Sequence, residues 1–293
     1  MPNQTRCRLI LGGLLTLASL LGAACSGPPT SVASPTVVVE HPPLEYACVR
    51  TPSPPEFTGD LDSGVWSLAG WTADFRDIEG AERPDPGFQT QVKMLWDETY
   101  LYVGCTMEEP DLWATYDQRD MIVFHEHDFE VFIDPDGDGN EYYEIEINVL
   151  GTIFDLFLHR PYRSGGPAEH GWDTTGLKFA IHTDGTINDP EDRDRGWTVE
   201  LAIPFADLKP PSIRADGTAW SLPPITEHQR AAVPCVGETW RINFSRVEWD
   251  LEVVDGGYQK IEGRPEYNWT WTPQWEINMH VPERWGLLRF VAE

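Results

Sequence analysis

Apolar and polar residues alternate with a period of two along most of this chain, in short runs cut by Gly, Pro, Asn and Asp. The runs are QVKMLW (91–96), YLYVGCTM (100–107), DFEVFID (128–134), YYEIEINVLG (142–151), IFDLFLH (153–159), LKFAIHT (177–183), GWTVELAIP (196–204), TWRINFSRVEW (239–249) and WGLLRFV (285–291). Alternation of this kind puts one face of each segment in a core and the other outside it, which is how antiparallel strands read. Only PFADLKP (204–210) and the stretch from Asp111 to Tyr116 look helical, and both are short. The pattern predicts an all-β fold, an antiparallel β-sandwich with a few short helical turns.

The densest chemistry lies in FIDPDGDGNEYYEIEIN (132–148). A calcium-binding EF-hand loop needs carboxylates at positions one, three and five, Gly at six and a bidentate Glu at twelve. Asp134, Asp136, Asp138 and Gly139 meet the first four demands, but position twelve is Ile145 and the flanks read as strands. The segment is therefore a β-hairpin whose Asp side chains cap turn amides, with calcium at Asp134, Asp136 and Asp138 as an option. Alternation places Phe129, Val131, Ile133, Tyr143, Ile145 and Ile147 on the core face. Asp128, Glu130, Phe132, Tyr142, Glu144, Glu146 and Asn148 share the other. That second face reads either as a solvated surface or as the polar floor of a sugar site, where carboxylates and amides meet hydroxyls.

Rings to complete such a site appear in PEYNWTWTPQWEINMHVPERWG (265–286). Trp269 and Trp271, two apart, point the same way in an extended segment, and either offers a flat platform for a pyranose. Trp275 follows, and Trp285, just before an apolar strand, is expected in the core. The chain has 13 tryptophans, more than one core needs, so some are expected to face a ligand.

The ends and the charge narrow the setting. Arg6 and Arg8 precede an apolar run, Leu9 to Ala24, that ends in small residues before Cys25. This reads as a lipoprotein signal (residues 1–24) with Cys25 lipidated, or as an ordinary secretory signal. A Pro/Ser/Thr-rich tether follows over 25–43, and one domain over 44–293. With 48 acidic and 21 basic side chains the net charge is −27, which disfavours nucleic acid and anionic lipid as partners. Membrane contact is expected only through the lipid at Cys25, in the bacterial cell envelope. In an oxidising compartment Cys48 and Cys235 are candidates for a disulfide, leaving Cys105 as a buried thiol.

Taken together, FTGDLDSGVWSLAGW, VKMLWDETYLYVGCTM, HEHDFEVFIDPDGDGNEYYEIEINVLGTIFDLFL, GWTVELAIPFADL and the late aromatic segment resemble the carbohydrate-binding module family 9, and more closely its stand-alone exported family 9-like proteins. The resemblance covers nearly the whole chain after the tether. It implies a non-catalytic β-sandwich that captures plant polysaccharides or oligosaccharides of the xylan or β-glucan class, with no required cofactor but structural calcium in some members. In the xylanase-attached modules two rings sandwich the sugar and a strand Glu binds it. By position these imply Phe124 for the first ring, Glu130 for the acid, Asn148 for a neighbouring amide, and one of Trp269, Trp271 or Trp275 for the second ring. Glu146 stands where those modules carry a basic residue, so a donor has become an acceptor. Neighbouring glycoside hydrolases are implied partners.

Three other functions compete. Glu130 and Glu146 on adjacent strands are a candidate glycoside hydrolase pair, but nothing in the sequence predicts the desolvation a catalytic acid needs. His125 and His127 have a zinc-like spacing yet lack a third ligand, and are expected to be exposed. An envelope-tethered protein-interaction module is the third.

Overall fold

The computed structural model describes residues 41–209, 217 and 233–292. Signal, most of the tether and Cys25 lie outside the described residues. Among the described residues there are fifteen strands: Glu45–Arg50 (β1), Arg76–Asp77 (β2), Thr90–Trp96 (β3), Tyr100–Glu108 (β4), Asp128–Asp134 (β5), Tyr142–Asn148 (β6), Ile153–Leu158 (β7), Ala168–Glu169 (β8), Lys178–Asp184 (β9), Gly196–Pro204 (β10), Thr239–Glu248 (β11), Leu251–Val254 (β12), Gly257–Lys260 (β13), Tyr267–Thr270 (β14) and Gly286–Val291 (β15). All but β12 and β13, which form a separate hairpin, belong to one sheet in the order β8-β7-β6-β5-β11-β15-β1-β3-β4-β10-β9, with β14 added to β11 and β2 to β14.

This single sheet curls so that its two halves face each other. Phe129, Val131, Ile133, Tyr143, Ile145 and Ile147 from β5 and β6 share one core with Val92, Met94, Leu101, Val103, Val199 and Leu201 from β3, β4 and β10. The core face of the acidic hairpin is therefore the one its alternation predicts. Pairing is antiparallel except around β1, which lies parallel to both β15 and β3. Among the described residues, helical structure is confined to 3-10 turns at Gly64–Leu68, Gly80–Glu82, Val123–His125, Tyr162–Ser164 and Pro282–Arg284. Neither the described part of PFADLKP nor Asp111–Tyr116 is helical. Pro204 ends β10 and a turn follows it, while Leu112 and Ala114 give their amides to Asp194 and Asn188 side chains.

Both outer faces of the curled sheet are also covered by loops. Leu95, Tyr102 and Ala202 pack beneath Leu61, Trp66 and Ala69. Phe132, Tyr142, Phe154, Leu156 and Leu158 pack beneath Ile78, Val123, Met279 and Trp285. Three apolar clusters absorb most of the tryptophans; among those described, Trp71, Trp249 and Trp275 keep partial exposure. The main core alone holds six tryptophans, and Trp285 and Trp66 lie in the two outer clusters.

Candidate functional site

Cross-strand register defines the outer face of the hairpin. Glu146 on β6 is opposite Glu130 on β5, Glu130 is opposite Ser245 on β11, and Ser245 is opposite Thr270 on β14. Paired residues point the same way, so these four side chains form one polar rung. Asp128 lies one step along it and Glu144 one step the other way. The sequence leaves this face open to solvent or sugar; the structure buries it. Glu130 is 5% exposed, and Asp128, Glu144 and Glu146 are equally enclosed, on the strand face that also carries Phe132 and Tyr142 of the outer cluster. Burial raises Glu130 to about 7, the neighbouring Ser245 hydroxyl working against it, and raises Glu144 to about 8, helped by Glu130. Burial and mutual repulsion push Asp128 and Glu146 well above the carboxylate range, and no Lys, Arg or His is among the charges acting on the four. The expectation that this face lacks desolvation is thus corrected.

Asn148 does not belong to a sugar floor. Its Oδ1 accepts from the Leu150 and Thr152 amides at 3.1 and 3.0 Å, and its Nδ2 donates to the Tyr116 carbonyl at 2.8 Å. The side chain is consumed by the turn that ends β6.

The opposite face at the same end of β5 carries a second buried acidic cluster, with cations. The Arg246 Nη2 donates to Glu109 at 2.7 Å and to Glu248 at 2.8 Å, and its Nη1 donates to the Glu108 carbonyl at 2.7 Å. His127 lies between the same two acids, with Nδ1 3.3 Å from Glu109 and Nε2 3.5 Å from Glu248. Burial opposes protonation of His127, but Glu248 and Glu109 outweigh it and push its pKa up to about 9. Burial raises Glu109 too, yet His127 and Arg246 prevail and hold it well below the carboxylate range. His127 is therefore enclosed, not exposed as expected, because it precedes β5 on the core side; His125, in the 3-10 turn, is exposed.

The same alternation relocates the rings. Trp269 is opposite Arg246, whereas Thr270 takes the place facing Ser245. Trp269 and Trp271 do point the same way, but toward the main core, away from Glu130. Trp271 is 2% exposed, tilted on Phe244 at 6.0 Å, and fills the space a side chain on Gly286 would need. It offers no platform. Trp269 lies over the Arg246 guanidinium at 5.1 Å with Phe88 against its edge at 6.0 Å, and only a margin reaches the surface. Trp275 is half-buried with its ring against Gly80, and Trp285 is fully buried as expected, in the outer cluster. Phe124 is 37% exposed on the 3-10 turn before β5.

That margin of Trp269 opens into a groove of about 680 Å³. Phe88, Trp249 and Tyr267 wall it with Trp269, and Asp77, Asp85, Asp111, Asp250 and Glu266 line it, with His127 and Glu248 at its base. Tyr267 is 42% exposed. Trp249 also donates its Nε1 to the Phe124 carbonyl at 3.1 Å, so Phe124 borders this groove. Sequence reading missed Phe88, Trp249 and Tyr267. Tyr267 precedes the Trp pair by two residues on the same strand face, and that spacing was a usable signal; Phe88 sits in a Pro-rich loop that carries none.

The acidic turn is satisfied by its own backbone. Asp134 accepts from the Gly137 and Gly139 amides at 3.0 and 2.9 Å, and both glycines have positive φ, which a Cβ would strain. Asp134, Asp136 and Asp138 each bring one oxygen within 4.8 Å of the others, a spacing a hard cation can use. The Cys48–Cys235 disulfide is not formed: Cys48 turns into the core from β1, whereas Cys235 stays half-buried in the loop before β11. Cys105 is a buried thiol, as expected.

Comparison with known proteins agrees with this architecture. A crystal structure of a candidate carbohydrate-binding protein from Bacteroides uniformis superimposes with a TM-score of 0.58 at 13% identity, over 85% of this chain and 100% of that one. A family 9 carbohydrate-binding module from Caldicellulosiruptor kristjanssonii, in complex with cellotriose, gives 0.48 at 14% identity over 85% and 95%. The same module with glucose gives 0.47 at 13% over 84% and 96%. No curated protein matches. The model of the carbohydrate family 9 binding domain-like family matches residues 58–222, more than half of the chain, and the protein belongs to that family.

Proposed function

We propose that this protein captures plant-type oligosaccharides of the xylan or β-glucan class in the aromatic groove, without chemically changing them. The observation that carries this reading is the groove itself: four rings around about 680 Å³, rimmed by carboxylates. Pyranose rings offer apolar C–H faces to indole and phenol surfaces, and their hydroxyls donate to carboxylates. Such a site exchanges hydrogen bonds to water for hydrogen bonds to protein, so dissociation constants of roughly 1 µM to 1 mM follow. The signal-like start and Cys25 support a lipid-anchored form in the cell envelope that serves neighbouring hydrolases.

Calorimetric titration with xylo- and cello-oligosaccharides tests the reading. Tyr267→Ala and Trp249→Ala should each weaken binding about tenfold, the scale of one lost stacked ring. Phe124→Ala, at the border, should do less. Binding that ignores Tyr267 and Trp249 but disappears with Phe124 moves the site toward the Glu130 face, and an absence of glycan binding leaves the protein-interaction reading. Hydrolysis by Glu130 and Glu146 has two observations in its favour, an oxygen from each within 4.8 Å and the burial that raises Glu130 to about 7. Both acids are buried, however, and a scissile bond has to enter between them. Sugar release abolished by Glu130→Gln would establish it.

A further inference from the structure

The buried rung Glu146–Glu130–Ser245–Thr270, with Asp128 beside it, is an arrangement of oxygens with no internal cation. One oxygen from each of Asp128, Glu130 and Glu146 lies within 4.8 Å of the others. Calcium holds its oxygens at about 2.3–2.6 Å, so three oxygens gathered within that spacing surround a gap on the scale of one ion. Independently of the carboxylates, the Ser245 hydroxyl is fully buried and paired in register with Glu130. It lies close enough to hold the Glu130 pKa down, yet makes no hydrogen bond of proper geometry. Asp128 Oδ2 and Glu146 Oε2 are buried without a partner too. Buried polar atoms are seldom left unmatched, and several of them converging on one face mark a place where something polar is held.

We propose that Asp128, Glu130, Glu146 and Ser245 form a buried site for a hard divalent cation of the calcium type, separate from the acidic turn and from the aromatic groove. The donor set is entirely oxygen, which selects calcium-like ions over zinc or copper. Glu144, on the same face, adds negative charge that deepens the attraction. By joining β5, β6 and β11, the ion ties together the strands beneath the outer cluster. It also gives a reason for Glu146: an acceptor there completes the oxygen set, where a basic side chain would occupy the ion's place.

The experiment is calcium and magnesium titration of the chelator-stripped full chain, followed by calorimetry and melting temperature. Calcium should bind and raise the melting temperature more than magnesium. Glu146→Gln should weaken calcium about tenfold or more, since affinity follows ligand charge, and Ser245→Ala should weaken it less. Asp136→Asn, in the turn, should leave it unaltered. Glu146→Gln keeps side-chain shape; if it does not fold, Ser245→Ala carries the comparison. The proposal is overturned if wild type shows no calcium response, if the response disappears with Asp136→Asn while surviving Glu146→Gln, or if an amino sugar such as glucosamine, and not calcium, stabilises the protein through these residues. Because the readout contains no glycan, a failure here is distinct from a failure of sugar binding.

Discussion

Two buried acidic clusters lie back to back across the start of β5, and their difference separates a structural charge network from an unfinished one. On the core side Glu109 and Glu248 are matched by Arg246 and His127 within hydrogen-bonding or ion-pair distance. On the outer side Asp128, Glu130, Glu144 and Glu146 crowd one another, and no Lys, Arg or His is among the charges that shift them. Burial is the same for both, so burial alone says nothing about role. The first cluster has its cations within the chain, although burial still outweighs His127 and Arg246 at Glu248 and pushes its pKa up to about 7. The second is complete only with protons or with a cation from outside.

Removing a cation from the core-side cluster is the harshest test of that contrast. Arg246→Leu leaves Glu109 and Glu248 enclosed with a single partner, and breaking a buried pair by deleting one member costs about 3–5 kcal/mol. Chemical denaturation should show a loss of that size together with exposure of Trp269, whose ring the guanidinium supports. A loss below about 1 kcal/mol, the scale of a surface pair, would mean the network is open to solvent and the comparison fails.

The same cluster gives a pH dependence of definite sign. The folded pKa of His127 is pushed up to about 9, above its unfolded value near 6.5. A raised histidine stabilises the fold fully below the unfolded pKa, and that contribution is lost as pH rises through the folded one. Between about pH 6.5 and 9 the protein should therefore lose roughly 3 kcal/mol at this residue, since each tenfold change in proton affinity is worth about 1.4 kcal/mol. Melting temperatures across that range should fall in wild type and fall less steeply in His127→Gln, the remaining slope coming from the raised acids Glu130 and Glu144.

Neutralising an acid in the unfinished cluster should do the reverse. In metal-free protein burial and its acidic neighbours force Glu146 to take up a proton, so Glu146→Gln removes the cost of that protonation and should be neutral or stabilise by about 1–2 kcal/mol. Denaturation of wild type and variant with and without calcium makes this sharper: the variant is favoured without the ion, the wild type with it. A destabilised variant under both conditions would show that the rung is already satisfied.

How much of this was readable beforehand depended on whether a signal was local. Alternation located the main strands and the core face of the hairpin, because a period of two is written into consecutive residues. It also showed that Trp269 and Trp271 share a face. Which face was a matter of register, and register with β11 is a tertiary fact: Arg246 opposite Trp269, and Ser245 opposite Thr270, send the rings inward. Burial of Glu130 and Glu146 was hidden for a related reason. The loops that cover the same strand face at Phe132 and Tyr142 bring in Ile78, Val123, Met279 and Trp285, residues scattered along some two hundred positions with no periodicity linking them to β5. His127 was misjudged because its partners, Glu109 and Glu248, are each distant in sequence. The short strand β1 was passed over beside the Pro-rich tether, yet it joins the two halves of the curled sheet.

The smallest expected effect concerns the acidic turn, another place where carboxylates gather. Its demands are met locally: Asp134 caps two amides and Asp138 caps the Asn140 amide at 2.8 Å. Asp136 is exposed, so Asp136→Asn should change stability by less than about 0.5 kcal/mol, as surface substitutions do. Asp134→Ala, in contrast, orphans two amides and should cost about 1–2 kcal/mol. If calcium also occupies this turn, Asp136→Asn will reduce the number of ions bound per chain by one while leaving the outer-face response intact. Counting bound calcium by equilibrium dialysis in Asp136→Asn and Glu146→Gln separates the turn from the rung, because each substitution can remove only the ion its own carboxylate holds.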